Sequence, residues 1–221
     1  MNYNIAIDGP AGAGKSTIAK KVAKQLGFVY VDTGAMYRAI ALYLLRNQIA
    51  PDDEAGIGQA TKEIEVTIVY ENGEQQVVLN GENVSGLIRT EEVGKMASAG
   101  AKNQAVRDKL LDLQRNLART ENVIMDGRDI GTHVLPNANV KIYLTASSSE
   151  RANRRYKELQ EKGITCNLQE IEQDIIARDE QDMNREIAPL KQAEDAVFLD
   201  SSDMTIEEVV QKIISIYEEK R

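Results

Sequence analysis

The 221-residue chain has no tryptophan, two phenylalanines, four prolines, one cysteine and one histidine. A single thiol, Cys166, cannot close an intramolecular disulfide, and it lies in the polar stretch KGITCNLQE with no histidine nearby, so it reads as incidental. The lone histidine, His133 in GTHVLP, reads as structural rather than catalytic. No apolar run approaches the length of a membrane span, and no basic segment leads into an apolar stretch at the amino end. The expectation is therefore a cytoplasmic protein with no membrane partner. Aromatic residues are only 5% of the chain and the net charge is -8, which argues against general nucleic-acid binding.

What is present is ordinary for a folded protein. Hydrophobic residues make up 42% and charged residues 28%, a balance that excludes a largely disordered chain. The length suits one α/β domain, residues 1–221, carrying insertions. Charge is unevenly spread. Residues 1–50 hold six lysines and arginines against two acidic residues, and residues 51–100 hold three against ten. Positive charge thus accompanies the amino-terminal glycine-rich segment, as it would in a site for a small anion.

Short apolar runs alternate with helical patterns, the mark of a parallel sheet covered by helices. NIAID, FVYVD, NVIMDG, VKIYLTA and AVFLDS supply five strands. Between the first two, Ile18, Ala19, Val22, Ala23 and Leu26 fall on one helical face that Gly27 can end. Ser147 with Glu150, and Thr205 with Glu208, have capping-box spacing at the starts of two later helices. Residues 65–84, EVTIVYENGEQQVVLNGENV, break the alternation. They are β-branched and contain Asn-Gly twice, which predicts a small antiparallel unit inserted within residues 60–95.

The segment GPAGAGKST, from Gly9 through Pro10, Ala11, Gly12, Ala13, Gly14, Lys15 and Ser16 to Thr17, fits G-x-x-x-x-G-K-[ST] and sits between a predicted strand and a predicted helix. Its glycines let backbone N–H groups approach phosphate oxygens, and the helix terminus adds a positive dipole end. Lys15 would reach the β- and γ-phosphates, and the Ser16 hydroxyl suits Mg²⁺. The fold expected is a P-loop doubly wound five-stranded parallel sheet with helices on both faces.

A nucleotide loop does not name the second substrate. VDTGAMYRAIA places Asp32, Thr33, Gly34 and Arg38 at the carboxyl end of a strand, where open α/β sheets bind ligands. MDGRDIGTHVLP does the same for Asp126, Arg128 and Asp129, and ARDEQDMNREIAPL offers Arg178, Asp182 and Arg185 on a helix. A phosphate grip suits these arginines. A charged ladder on a solvated helix is the competing reading for the last group.

Taken in order, IDGPAGAGKST, DTGAMYR, ENVSGLIRTEEV, DGRDIGTHVLP, ASSSERANRR, RDEQDMNR and APL resemble bacterial cytidylate kinase, a nucleoside monophosphate kinase family, over essentially the whole chain. The resemblance implies ATP as phosphoryl donor, CMP or dCMP as acceptor and Mg²⁺ as cofactor, and the expected assembly is a monomer. It implies Thr33, Ser98, Arg107 and Asp129 around the cytosine, Arg38, Arg128 and Arg185 on the acceptor phosphate, and Arg178 and Asp182 at the pentose. Arg154 and Arg155 would belong to a helical lid, residues 150–186, over the ATP phosphates. Catalysis would fall to Lys15, Arg128, Asp129 and Arg185. A phosphate acceptor is already anionic, so little is asked of a general base. A kinase for AMP, UMP or shikimate would differ only in the pocket. A GTP-dependent switch is a different class, and the chain lacks an N-K-x-D guanine-reading motif.

Overall fold

The computed structural model describes residues 2–221. Contacts divide the chain into two compact units: the chain up to Val29 together with Asn122–Arg221, and Tyr30–Glu121.

The first unit is built on parallel strands. β1 (Asn4–Asp8) lies between β6 (Val123–Gly127) and β7 (Val140–Thr145), with Ile5 facing Ile124 on one side and Val140 on the other. β8 (Val197–Asp200) adds to β7; the strand order of the whole sheet is β2-β6-β1-β7-β8, with helices on both sides, its outer strand β2 (Val29–Asp32) starting at the last residue of this unit's first segment. Strands covered on both faces are expected to be apolar throughout, and Ile5, Ala6, Ile7, Val123, Ile124 and Met125 are all fully buried. Between β1 and β6 the phosphate loop runs into α1 (Lys15–Leu26), which ends at Gly27 with φ 68°. Tyr217 of α8 (Ile206–Lys220) meets Tyr3 and Phe28 edge-on, tying the residues that flank β1 and α1 to this helix. After β6 the chain makes one π-helical turn, Ile130–Val134. After β7 come α6 (Ser148–Glu161) and α7 (Leu168–Asn184), which pack on each other. No helix among the described residues is long and apolar enough to cross a membrane.

Both predicted capping boxes are at helix starts, but only one is complete. Thr205 and Glu208 exchange both bonds at α8. At α6, Ser147 Oγ accepts the Glu150 N–H, whereas the Glu150 carboxylate turns to Arg154 one helical turn on.

The second unit packs α2 (Thr33–Arg46), α3 (Glu54–Glu63), α4 (Glu91–Gly100) and α5 (Gln104–Thr120) with an antiparallel sheet β3-β4-β5. Its strands are Val66–Glu71, Glu74–Leu79 and Glu82–Asn83. The two predicted turns are there: Asn72-Gly73 and Asn80-Gly81 all have positive φ, the requirement of a type I′ hairpin.

Two glycines of the loop are required for different reasons. A Cβ on Gly9 would lie 1.9 Å from the Leu144 carbonyl oxygen, within β7. Gly14 has open space but holds φ +82°. Gly9→Ala is expected to lower stability by more than about 3 kcal/mol or to prevent folding, and Gly14→Ala by only about 1–2 kcal/mol of left-handed backbone strain. Urea unfolding of the two variants checks this. Equal losses would contradict the packing described here.

Candidate active site

The apolar pattern of β1 ends at Asp8, and the chain then turns through the loop to Lys15. Lys15 is 6% exposed, and its Nζ donates to the Pro10 carbonyl at 2.7 Å, so the loop is tied across its own base. Burial, with the Arg128 charge adding to it, pulls Lys15 down to about 7, against the attraction of Asp126, Asp8 and Asp182. Ser16 Oγ donates to Asp126 Oδ2 at 2.8 Å, while Thr17 is exposed.

Beyond β6, Arg128 Nε donates to Asp182 Oδ2 at 2.8 Å, and Arg185 Nη2 pairs with Asp129 Oδ1 at 3.2 Å. The Arg185 side chain is 5% exposed, which rules out the solvated ladder. Its Nε donates to the Ala188 carbonyl at 2.7 Å, within a turn where Ala188 holds φ 46°. A non-glycine residue in that region is strained, so the APL segment spends backbone energy on aiming this arginine. Burial and the Arg128 charge hold Arg178 below the usual arginine range, and its Nε makes no hydrogen bond. The structure thus assembles Lys15, Ser16, Asp126, Arg128, Asp129, Asp182 and Arg185 into one charged cluster.

Arg154 and Arg155 are turned elsewhere. Arg154 reaches Glu150 and the Ser201 carbonyl, and Arg155, exposed, reaches Glu158. The arginine of α6 that meets the loop is Arg151. Its Nε donates to the Ala146 carbonyl at 2.9 Å, Nη1 to the Ala11 carbonyl at 2.8 Å, and Nη2 pairs with Asp179 Oδ2 at 2.6 Å. One guanidinium therefore joins the end of β7, the phosphate loop and α7. Sequence reasoning missed it because the three arginines, at i, i+3 and i+4, share one helical face, and what separates them is their height along α6, which the sequence does not show.

The second unit holds the remaining predicted residues. Thr33 is buried at the first turn of α2, where Asp32 Oδ1 accepts the Ala35 N–H as the helix cap. Asp32 Oδ2 also accepts from Arg89 at 2.7 Å; this arginine lies within the ENVSGLIRTEEV segment but was given no role there. The Gln75 side chain bonds both the Asp32 N–H and its carbonyl, taking the place of a neighbouring strand. Arg38 donates to the Ile88 carbonyl and lies against Gly94 of α4, where a Cβ would stand 3.0 Å from its Nη1. Ser98 is half-buried on the same helix. Arg107 is 3% exposed on α5, its guanidinium 5.9 Å from the centre of the Tyr37 ring.

A model of the cytidylate kinase family matches residues 5–219. The chain belongs to the cytidylate kinase family. Among curated members, the cytidylate kinase of Caldicellulosiruptor bescii is 50% identical over 214 residues, spanning 97% of this chain and 95% of the relative. That of Thermosipho melanesiensis is 47% identical over 220 residues, spanning 100% and 99%. Among solved structures, a shikimate kinase from Acinetobacter baumannii superposes with a TM-score of 0.50 at 14% identity, covering 100% of this chain and 96% of that one. At that identity the likeness is one of fold, and it is the family match that separates this chain from the shikimate alternative.

The depressed Lys15 gives a signature measurable without nucleotide. Between pH 7 and 10 the unfolded chain keeps the lysine proton that the fold sheds, so the unfolded state binds more protons and stability rises with pH. Lys15→Met removes that contribution. Urea unfolding at pH 7, 8 and 9 should show a wild-type slope steeper than the variant's by up to about 1.4 kcal/mol per pH unit. Parallel slopes would place the lysine in water.

Proposed function

We infer that the protein transfers the γ-phosphate of ATP to CMP or dCMP, giving ADP and CDP or dCDP. The observation that carries this is the family match over residues 5–219 on a chain whose phosphate loop has its lysine buried and its glycines at positive φ, beside the Arg128, Asp129, Asp182 and Arg185 cluster. We further take the enzyme to be cytoplasmic and monomeric.

In this reading the loop N–H groups from Ala11 to Ser16 and the Lys15 side chain bind the ATP phosphates. Their negative charge returns Lys15 to its cationic form, the reverse of the shift that burial imposes. Ser16 and Asp126 offer a hydroxyl and a carboxylate 2.8 Å apart, a hard-oxygen pair that fits Mg²⁺ with its remaining positions left to water and phosphate. Mg²⁺ arriving with ATP would neutralise charge on the β- and γ-phosphates. Thr33, Ser98, Arg107 and Asp129 read the cytosine, Arg38, Arg128 and Arg185 hold the acceptor phosphate, and Arg178 and Asp182 face the pentose. An acceptor phosphate is already anionic and asks little of a general base, so the protein's contribution is alignment and charge compensation. Closure of residues 150–186, with Arg154 and Arg155, would keep water from competing.

A coupled assay of ADP release with ATP, Mg²⁺ and one nucleoside monophosphate at a time tests the assignment. Turnover with CMP and dCMP well above that with AMP is expected, and the reverse order would overturn it. Arg185→Met should lower kcat/KM for CMP by about 10²-fold, since a charge contact to a group that gains charge is lost from the transition state. Arg221→Met, at the chain end, should leave kinetics unchanged.

A further inference from the structure

Asp8 has no part in the reading above, yet it is among the most constrained groups of the first unit. It is 4% exposed and stands last in β1, directly before Gly9. Its Oδ1 accepts the Ile130 N–H at 2.7 Å and its Oδ2 accepts the Gly131 N–H at 2.7 Å. These are the first two amides of the π-helical turn Ile130–Val134.

The first amides of a helical turn have no partner within it, and a short polar side chain at the cap position ordinarily accepts from them. Asp129 occupies that position, and aspartate is a favoured capping residue, but its side chain makes no such bond. Its carbonyl accepts from His133 and Val134, while its carboxylate faces Arg185. Asp8 therefore caps the turn across 122 positions of sequence. Each Asp8 oxygen is engaged by a short bond to a turn amide, so the carboxylate is oriented by the turn. There is little slack around them: a Cβ on Gly131 would lie 3.3 Å from Asp8 Oδ2 and 3.1 Å from Lys141 Cδ. Keeping a carboxylate here is unfavourable. Burial pushes Asp8 up to about 6 against the pull of the two amides, and the nearby Asp129 charge adds to the cost.

We propose that Asp8 is a positioning residue for the acceptor nucleotide: it caps the Ile130–Val134 turn in place of Asp129 and so leaves the Asp129 carboxylate to Arg185 and to the acceptor. The proposal rests on the assignment of Arg128, Asp129 and Arg185 to CMP. Without Asp8, two buried amides need an acceptor, and Asp129 is the residue whose side chain is placed by sequence to supply it. Asp129 would then turn back onto its own helix and release Arg185. An amide at position 8 keeps one acceptor oxygen but opposes its NH₂ to the second N–H, so Asp8→Asn should lie between wild type and Asp8→Ala.

The test is steady-state kinetics with ATP, Mg²⁺ and CMP on wild type, Asp8→Asn, Asp8→Ala, Asp129→Asn and the double variant Asp8→Ala/Asp129→Asn, with thermal unfolding of each. A misplaced acceptor site is expected to lower kcat/KM for CMP by about 10²-fold in Asp8→Ala and by about tenfold in Asp8→Asn, with KM for ATP changed less than about threefold. Because Asp8 acts through Asp129, adding Asp8→Ala to Asp129→Asn should cost less than about threefold more. If Asp8→Ala does not fold, Asp8→Asn alone and combined with Asp129→Asn carries the same comparison. Additive losses, a parallel rise in KM for ATP and CMP, or a lowered unfolding temperature with unchanged CMP kinetics would each overturn the proposal. Failure of the underlying assignment looks different: Asp129→Asn by itself would then leave CMP turnover untouched, and the proposal would fall with it.

Discussion

Lys15, Asp8, Asp126, Asp129, Asp179 and Asp182 are each less than a tenth exposed, and withdrawing charge from water costs several kcal/mol per ion unless partners replace the lost solvent. Much of the first unit's local geometry follows from meeting that demand. The parallel strands end together, so their carboxyl-terminal residues deliver carboxylates to one place. Asp8 is met by two backbone amides, Asp126 by Ser16, Asp182 by Arg128, Asp129 by Arg185 and Asp179 by Arg151. No carboxylate of the group depends on water alone. The few atoms left over, Arg178 Nε and Asp179 Oδ1, lie on α7, the helix that brings the last acids to the cluster.

The parts of this arrangement visible in the sequence are those whose chemistry needs consecutive residues. A phosphate loop must be contiguous, because successive amides converge on one anion, and its spacing was readable in GPAGAGKST. Asn-Gly is similarly local: positive φ at two adjacent positions is a demand on two residues only, and both turns formed as expected. The inner strands of the parallel sheet were legible as apolar runs because both their faces are covered, whereas β8 leaves Phe198 exposed and was legible by its apolar composition alone.

Contacts made at a distance were not readable. Glu150 had the spacing to complete a capping box, but an arginine four residues on was a stronger partner than a backbone amide. Arg151, Arg154 and Arg155 are one helical turn of similar residues, and only the direction of α6 decides that Arg151 faces the loop. Asp8 looked like the end of a strand. Its capping of a turn more than a hundred residues away has no local signature, and a five-residue π-helical turn is too short for a period to reveal.

The hydrogen bond from Lys15 to the Pro10 carbonyl gives the loop a ligand of its own. An ammonium group has three N–H donors, so two stay available to phosphate while the third keeps the side chain tied to the loop's own backbone. A lysine held in this way has little rotamer freedom left to lose when a nucleotide arrives. For a kinase that takes up and releases a nucleotide in each turnover, the loop then starts every cycle with its cation already in place.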